Sequence, residues 1–129
     1  ALLASMIESN GIEMILGMTT DQQLGPMITI GFGGYYAEAL KDAVTLMPPF
    51  TAETAKTAIK SLRMKSLLDG YRGTDPVDIN AFAQMASVFS LIAIEFKEQI
   101  SEIDINPVIL GKDNCIAVDA LISLHQQKK

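Results

Sequence analysis

In Glu102-Ile103-Asp104-Ile105-Asn106-Pro107, and again at Asp119 thirteen residues after Asn106, oxygen-bearing side chains interrupt a run of aliphatic ones. Ile103, Ile105, Val108, Ile109 and Leu110 read as a strand, and Cys115-Ile116-Ala117-Val118-Asp119-Ala120-Leu121 reads as its return. The stretch between them, Gly111-Lys112-Asp113-Asn114, has the composition of a hairpin loop. A four-residue loop sets Leu110 opposite Cys115, and counting back sets Asn106 opposite Asp119. Directly opposed residues on one face of a sheet lie about 5 Å apart, and alternation along the strand adds Asp104 to that face. A carboxylate buried without a partner among aliphatic neighbours is very costly, so this trio calls for a cation. Oxygen donors of the Asp/Asn type suit a hard ion such as Mg²⁺, which takes few protein ligands and completes its shell with substrate phosphates. A local reading competes: Asp and Asn near strand ends bond to nearby backbone, and Asp119 can pair with a lysine. Spacing alone leaves both readings open.

Other residues with chemical potential are scattered. Glu13 interrupts the apolar strand Ile12-Met14-Ile15-Leu16, either on a solvent face or in a site. Gly31-Phe32-Gly33-Gly34 follows a strand and can bring backbone N–H groups to a phosphate, although no helix clearly opens after it and a plain tight turn is the default reading. Glu38 and Asp42 come next, able to complete a cation site or stay solvated. Arg72, between Gly70-Tyr71 and Gly73, can grip an anion bidentately or pair with Asp75 or Asp78. His125 is the only histidine and reads as a solvated terminal residue. The chain holds no Ser/His/Asp or Cys/His arrangement, so it does not read as a self-contained nucleophilic enzyme.

The elements that position these groups follow from pattern. Leu2 to Ile7 reads as a short strand, Ser9-Asn10-Gly11 as a turn, and Ile12 to Thr19 as a second strand, making a hairpin. Asp21 to Pro26 is expected as a loop, Met27 to Ile30 as a third strand, and Ala37 to Leu46 as a fourth before Pro48-Pro49. Thr51 caps a predicted helix over Ala52 to Arg63, with Ala55, Ala58, Ile59 and Leu62 on one stripe. A turn is expected at Ser66-Leu67-Leu68, ending at Gly70. Asp78 caps the longest helix, Ile79 to about Glu98, whose Phe82, Met85, Ala86, Phe89, Ile92, Ala93 and Phe96 would lie against a sheet. Methionines such as Met14, Met18, Met27, Met64 and Met85 read as core filling. Strands first, two helices, then two strands define an α+β domain, with helices packed on one face of a mostly antiparallel sheet.

At 129 residues the chain suits a single domain with a real core. Its net charge of −5 argues against a nucleic-acid surface and leaves it short of cations for a phosphate ligand. No charge-free apolar run is long enough to span a bilayer. Cys115, the only cysteine, falls in an apolar strand and reads as a buried thiol in a reducing, cytoplasmic setting. The opening Ala1-Leu2-Leu3-Ala4 is neither a native start nor a signal peptide, and suggests a piece of a longer protein.

Taken in order, these pieces resemble the C-terminal lobe of the ATP-grasp domain of NDP-forming acyl-CoA synthetases, the ADP-forming acetate–CoA ligases, which are related to the β subunit of succinyl-CoA synthetase. The resemblance rests on Gly11-Ile12-Glu13-Met14-Ile15-Leu16-Gly17, Asp21 through Leu24-Gly25-Pro26, Gly31-Phe32-Gly33-Gly34 with Glu38, and Pro48-Pro49. It continues through Leu68-Asp69-Gly70-Tyr71-Arg72-Gly73, Glu102 to Pro107, and Ala117-Val118-Asp119-Ala120. Each piece is weak; the ordered set, covering nearly the whole chain, is specific. Two departures stand out: Leu24 replaces an aromatic before Gly-Pro, and Leu3-Ala4-Ser5-Met6 lacks the usual glutamine before that methionine.

The resemblance implies an enzyme interconverting acyl-CoA, ADP and phosphate with a free acid, CoA and ATP, through an acyl phosphate and a phosphohistidine. It implies Asn106 and Asp119 as holders of Mg²⁺ on the phosphates of ATP or ADP, and Asp104 as an accessory carboxylate. Glu13, Gly33, Gly34 and Glu38 match positions lining the same cleft, on the nucleotide and phosphate side. The N-terminal ATP-grasp lobe and the CoA-binding and ligase domains with the phosphorylated histidine are then the expected partners, with no nucleic acid or membrane among them. The isolated 1–129 domain would fold, pair with a second copy, and turn over poorly. Two other readings stand beside this one: the regulatory acyl-CoA synthetase-like domain of a protein lysine acetyltransferase, and a non-catalytic interaction module.

Overall fold

The structure is a computed structural model that describes residues 12–33, 42–63, 68, 78–112 and 114–125. The expected strand at 2–7, the turn at 9–11, Arg72 and the Ser66 to Gly70 turn (Leu68 apart) lie outside the described residues.

Strand β1 (Ile12–Asp21) doubles back into β2 (Gly25–Phe32) through a turn far shorter than the expected loop. The cause is local. The Asp21 carboxylate accepts the N–H groups of Gln23 and Leu24 at 2.8 and 2.9 Å, the Asx-type bonding that closes a tight turn. Gly25 then takes φ 84°, which a residue with a Cβ rarely adopts. Those two backbone bonds, Leu24 first, hold the Asp21 carboxyl below its ordinary value. Leu24, the departure from the family pattern, is 57% exposed at this tip, so the loss of an aromatic costs no core.

β2 pairs with β3 (Ala43–Leu46), the described part of the strand expected over 37–46. On its other side β1 pairs with the long β4 (Ile100–Leu110). β4 in turn pairs with β5 (Cys115–Ala117) and, farther along, with β6 (Ala120–Leu124). The order is β3-β2-β1-β4-β5, with β6 also on β4, and every pairing described is antiparallel.

Two helices join β3 to β4. Helix α1 (Ala52–Lys60) starts at Thr51, whose hydroxyl accepts the Thr54 N–H at 3.2 Å. It stops three residues short of Arg63: the N–H groups of Ser61 and Leu62 bond back to Ala58 and Ile59 in a tightened last turn, and the Arg63 N–H goes to the Asp42 carboxylate at 2.8 Å. Helix α2 (Ile79–Glu95) starts at Asp78, whose carboxylate accepts the Ala81 N–H at 2.9 Å. It ends at Glu95 rather than Glu98, because the Phe96 carbonyl takes the N–H groups of Gln99 and Ile100 and turns the chain into β4. The stripe expected on α2 is buried at Phe82, Ala86, Phe89 and Ala93, whereas Ile92 and Phe96 are 38% and 41% exposed near the helix end.

One cluster forms the core: Met14, Leu16, Met18, Ile28, Ile30, Phe32, Ile103, Val108 and Leu110 from the sheet against Ala55, Ile59, Phe82, Ala86, Phe89 and Ala93 from the helices. These strand residues lie on one face, since the register pairs Leu16 with Ile30 and Ile105, and Met14 with Phe32 and Val108. This is the α+β arrangement expected, with both described helices on a single face. No described helix is long and apolar enough to cross a membrane.

Candidate functional site

The site lies on the face of the sheet opposite α1 and α2. From Leu110↔Cys115 through Val108↔Ala117, and again from Ile105↔Ala120 to Glu102↔Ser123, β4 keeps one register with its return strands. Across the gap the backbone bonds continue it: Val118 N–H donates to the Pro107 carbonyl at 3.0 Å, and Asn106 N–H donates to the Asp119 carbonyl at 3.2 Å. Asn106 and Asp119 are therefore direct cross-strand partners, as the hairpin count requires. The Asn106–Pro107 peptide is cis.

On its other side β4 is bulged. β1 pairs Met14 with Val108 but Leu16 with Ile105, so Asn106 and Pro107 together stand across from Ile15. That extra residue explains how Ile105 and Val108, three apart, both reach the core cluster. Alternation from Ile105 places Asn106 on the open face with Asp104, which pairs with Gly17. Glu13, paired with Ile109, shares that face. Ile109 is 5% exposed yet stands apart from the core cluster, as its opposite facing demands.

One expectation is corrected. Asp104, Asn106 and Asp119 are exposed rather than buried among aliphatic side chains. The aliphatic neighbours Ile103, Ile105 and Val108 point through the sheet to the helices, so no desolvation penalty demands a cation here. What remains is the donor set: an amide oxygen and a carboxylate at facing positions, with a second carboxylate two residues along β4. Among the described residues no three His, Cys, Asp or Glu side chains gather into a metal cage. An Asn–Asp pair instead fits an ion that takes most of its shell from phosphate and water. Asp119 Oδ1 accepts the Ala120 N–H at 2.9 Å, the local bond of the competing reading. A carboxylate has about four lone-pair sites, so this bond orients Asp119 without consuming it.

Gly33 is buried, and its N–H donates to the Glu13 carbonyl at 2.9 Å. A Cβ there would stand 3.1 Å from Ile15 Cγ2 and 3.2 Å from the Met14 carbonyl oxygen, so the glycine lets this segment lie flat on β1. Gly34 and Glu38 lie outside the described residues. None of the six strands contains a lysine or arginine, while Glu13, Glu102, Asp104 and Asp119 all stand on the open side. Cations for a polyphosphate do not come from this sheet.

Asp42 and Cys115 differ from their sequence reading, and His125 adds bonds to it. Asp42, expected in a cation site or in solvent, is buried and bonded to the Arg63 N–H. His125 is exposed, as its reading as a solvated residue expects, and is also held: its N–H donates to the Gln99 carbonyl at 2.9 Å and its Nε2 lies 3.1 Å from the Lys97 carbonyl. Cys115 is half-buried beside Met85, Sγ to Sδ 4.0 Å. Burial, and secondarily the charge of Asp78, push its thiol up to about 11, so it stays protonated and inert near neutrality.

The sheet thus carries α1 and α2 on one face and the Asn106–Asp119 pair on the other. The ATP-grasp domain family model matches residues 1–124, and the chain belongs to that family. It is 41% identical over 114 residues to the β subunit of ADP-forming acetate–CoA ligase I of Pyrococcus furiosus, a match covering 88% of this chain and 49% of that subunit. It is 33% identical over 126 residues to ADP-forming acetate–CoA ligase I of Archaeoglobus fulgidus, covering 98% of this chain and 18% of that protein. Among solved structures, acetyl-coenzyme A synthetase 1 of Ca. Korarchaeum cryptofilum, in complex with coenzyme A and Mg-AMPPCP, superposes with a TM-score of 0.84 at 36% identity, covering 89% of this chain and 54% of that one. The chain thus spans about half of the Pyrococcus subunit and a smaller share of the Archaeoglobus protein.

Proposed function

We propose that this chain is the C-terminal ATP-grasp lobe of an ADP-forming acyl-CoA synthetase, and that its open face holds the Mg²⁺-bound phosphates of ADP or ATP. The observation that carries the reading is the cross-strand pairing of Asn106 with Asp119, 3.2 Å between backbone N and O, on the face of the sheet opposite α1 and α2. The relatives support it, being ligases of this reaction class, one of them solved with a Mg-nucleotide analogue. They also set it against a regulatory acetyltransferase domain or a bare interaction module.

Bound Mg²⁺ would neutralise charge that develops on phosphate oxygens during phosphoryl transfer. The chain's own residues do the positioning. Asn106 and Asp119 would supply the protein oxygens, with Asp119 oriented by the Ala120 N–H. Asp104, two residues along the strand, would attract the cation without needing to touch it. Glu13 and Gly33, tied by their backbone bond, would line the phosphate side together with Gly34 and Glu38. Basic groups for the phosphates would come from outside the described strands, which hold no lysine or arginine, and the phosphorylatable histidine from the ligase domains.

The test is ATP formation from acetyl-CoA, ADP and phosphate by the full-length polypeptide carrying these residues, titrated with Mg²⁺. Asn106→Ala should abolish most turnover and raise the Mg²⁺ requirement. Wild-type rates and an unchanged Mg²⁺ titration in that variant would refute the assignment.

A further inference from the structure

Among the described residues Asp42 is the one charged side chain that is buried, at 4% exposure. A carboxylate so placed requires hydrogen-bond partners, and its Oδ1 accepts the Arg63 N–H at 2.8 Å, three residues past the end of α1. The carbonyl of the same residue accepts the Phe32 N–H at 3.1 Å, at the last position of β2. One residue therefore ties the exit of α1 to the end of β2.

The fit at that junction is close. A Cβ on Gly31 would stand 2.7 Å from Ala43 Cβ and 2.8 Å from the Asp42 carbonyl oxygen, nearer than real side chains come, so only glycine lets β2 lie against Asp42 in this way. On the opposite side the Gly33 N–H donates to the Glu13 carbonyl at 2.9 Å, where a Cβ would stand a tight 3.1 Å from Ile15 Cγ2. Phe32 and Gly33 are held between Asp42 and β1. In the chain, 34–41, which includes Gly34 and Glu38, departs from Gly33 and returns at Asp42.

We infer that Asp42 is a positioning residue for the nucleotide site: by fastening the Gly31–Gly33 end of β2 to the exit of α1, it sets where Gly33 and Glu13 stand on the open face. This rests on the function proposed above. It goes beyond it by giving a role to a carboxylate on the far side of Gly33 from the Asn106–Asp119 pair. A purely structural Asp42 would alter the amount of folded protein and leave the affinity of that protein for nucleotide as it was.

Steady-state kinetics on the full-length polypeptide separate the two. Asp42→Ala should raise the KM for ADP about tenfold, the scale of a group displaced by a fraction of an ångström, with the KM for acetyl-CoA unmoved. Asp42→Asn, which keeps an oxygen for the Arg63 N–H, should recover most of that loss. Gly31→Ala, which drives a methyl into the Asp42 carbonyl, should reproduce the rise in KM for ADP without touching Asp42. If Asp42→Ala does not fold, the Gly31 variant decides the matter: an unchanged KM for ADP in Gly31→Ala overturns the inference. An Asp42→Ala enzyme whose kcat falls in step with its folded fraction, at constant KM, overturns it too. Asn106→Ala assayed in parallel distinguishes the failures. If it weakens Mg-ADP binding while the Asp42 and Gly31 variants do not, only the role of Asp42 is lost; if none of them does, the site itself is misassigned.

Discussion

On the face that carries α1 and α2, Met14 and Leu16 of β1 and Ile103 and Val108 of β4 are buried; on the other face of the same strands stand Glu13, Asp104 and Asn106. The first face is made of interchangeable hydrocarbon, and its requirement is volume. The second is made of particular oxygens at particular register positions, and its requirement is geometry. Because side chains alternate with a period of two, a single strand serves both, and the bulge at Asn106-Pro107 lets β4 return to the core after presenting Asn106. Stability and chemistry should therefore separate cleanly by face.

The sharpest way to break that separation is to exchange effects between faces. Phe82, fully buried between the helices and the sheet, should cost about 3–5 kcal/mol on Phe82→Ala, read by urea unfolding. Asn106→Ala should move the same curve by less than about 0.5 kcal/mol, since exposed positions away from packing do little. A large loss of stability in Asn106→Ala would mean that the open face is structural after all. In the activity assay the order reverses. Asn106→Ala should lower turnover of the full-length enzyme by about 10²–10³, the usual cost of one electrostatic contact to the reacting charge. Conservative core changes such as Ile30→Val should leave turnover near wild type.

The comparison also explains what the bare sequence discloses. The hairpin count from Gly111-Lys112-Asp113-Asn114 places Asn106 against Asp119 correctly, because the return strand keeps one register across its break. Thr51 and Asp78 are legible as caps because capping is a local act of one side chain on its own first turn. The burial of the oxygen trio is misread for an identifiable reason. Alternation tells which residues share a face, but a β4 sequence with Ile on one side and Asp/Asn on the other does not say whether anything covers the second side. Asp42 is misread as a cation ligand or a solvated residue because its partners, Arg63 and Phe32, are twenty-one residues ahead and ten behind, and no local pattern announces such a bond. The short turn at Asp21 is half legible: Asp and Gly at its ends are turn formers, but only the bonds to Gln23 and Leu24 show how little chain it uses.

A smaller effect sharpens the comparison at the rim of the core. Asp78 caps α2 and its own N–H donates to the Gly111 carbonyl at 2.8 Å, so the helix start and the β4–β5 loop are joined there. Asp78→Ala should cost about 1 kcal/mol as a lost cap, visible in thermal unfolding. Asp78→Asn, which keeps the acceptor, should cost less. Equal losses would show that the charge rather than the hydrogen bond holds this corner.

The smallest expected effect is at Cys115, which is half-buried on the helix side of β5, beside Met85 and near the cap carboxylate. Its pKa is raised from 9.0 to about 11, first by burial and then by the charge of Asp78. The folded state therefore keeps its proton more tightly than the unfolded chain does. A raised folded-state pKa gives stability that is fully present below pH 9 and drains away as pH climbs through about 11. Cys115→Ala should flatten the fall in unfolding free energy across that window and change little at pH 7. Asp78→Asn should lower the thiol pKa, which ultraviolet thiolate absorbance reads directly. At pH 8 the thiol of folded protein should react with iodoacetamide far more slowly than after denaturation, because the thiolate is the nucleophile. Rapid alkylation of the folded protein would place Cys115 in open solvent and move this corner of the sheet from the packed face to the exposed one.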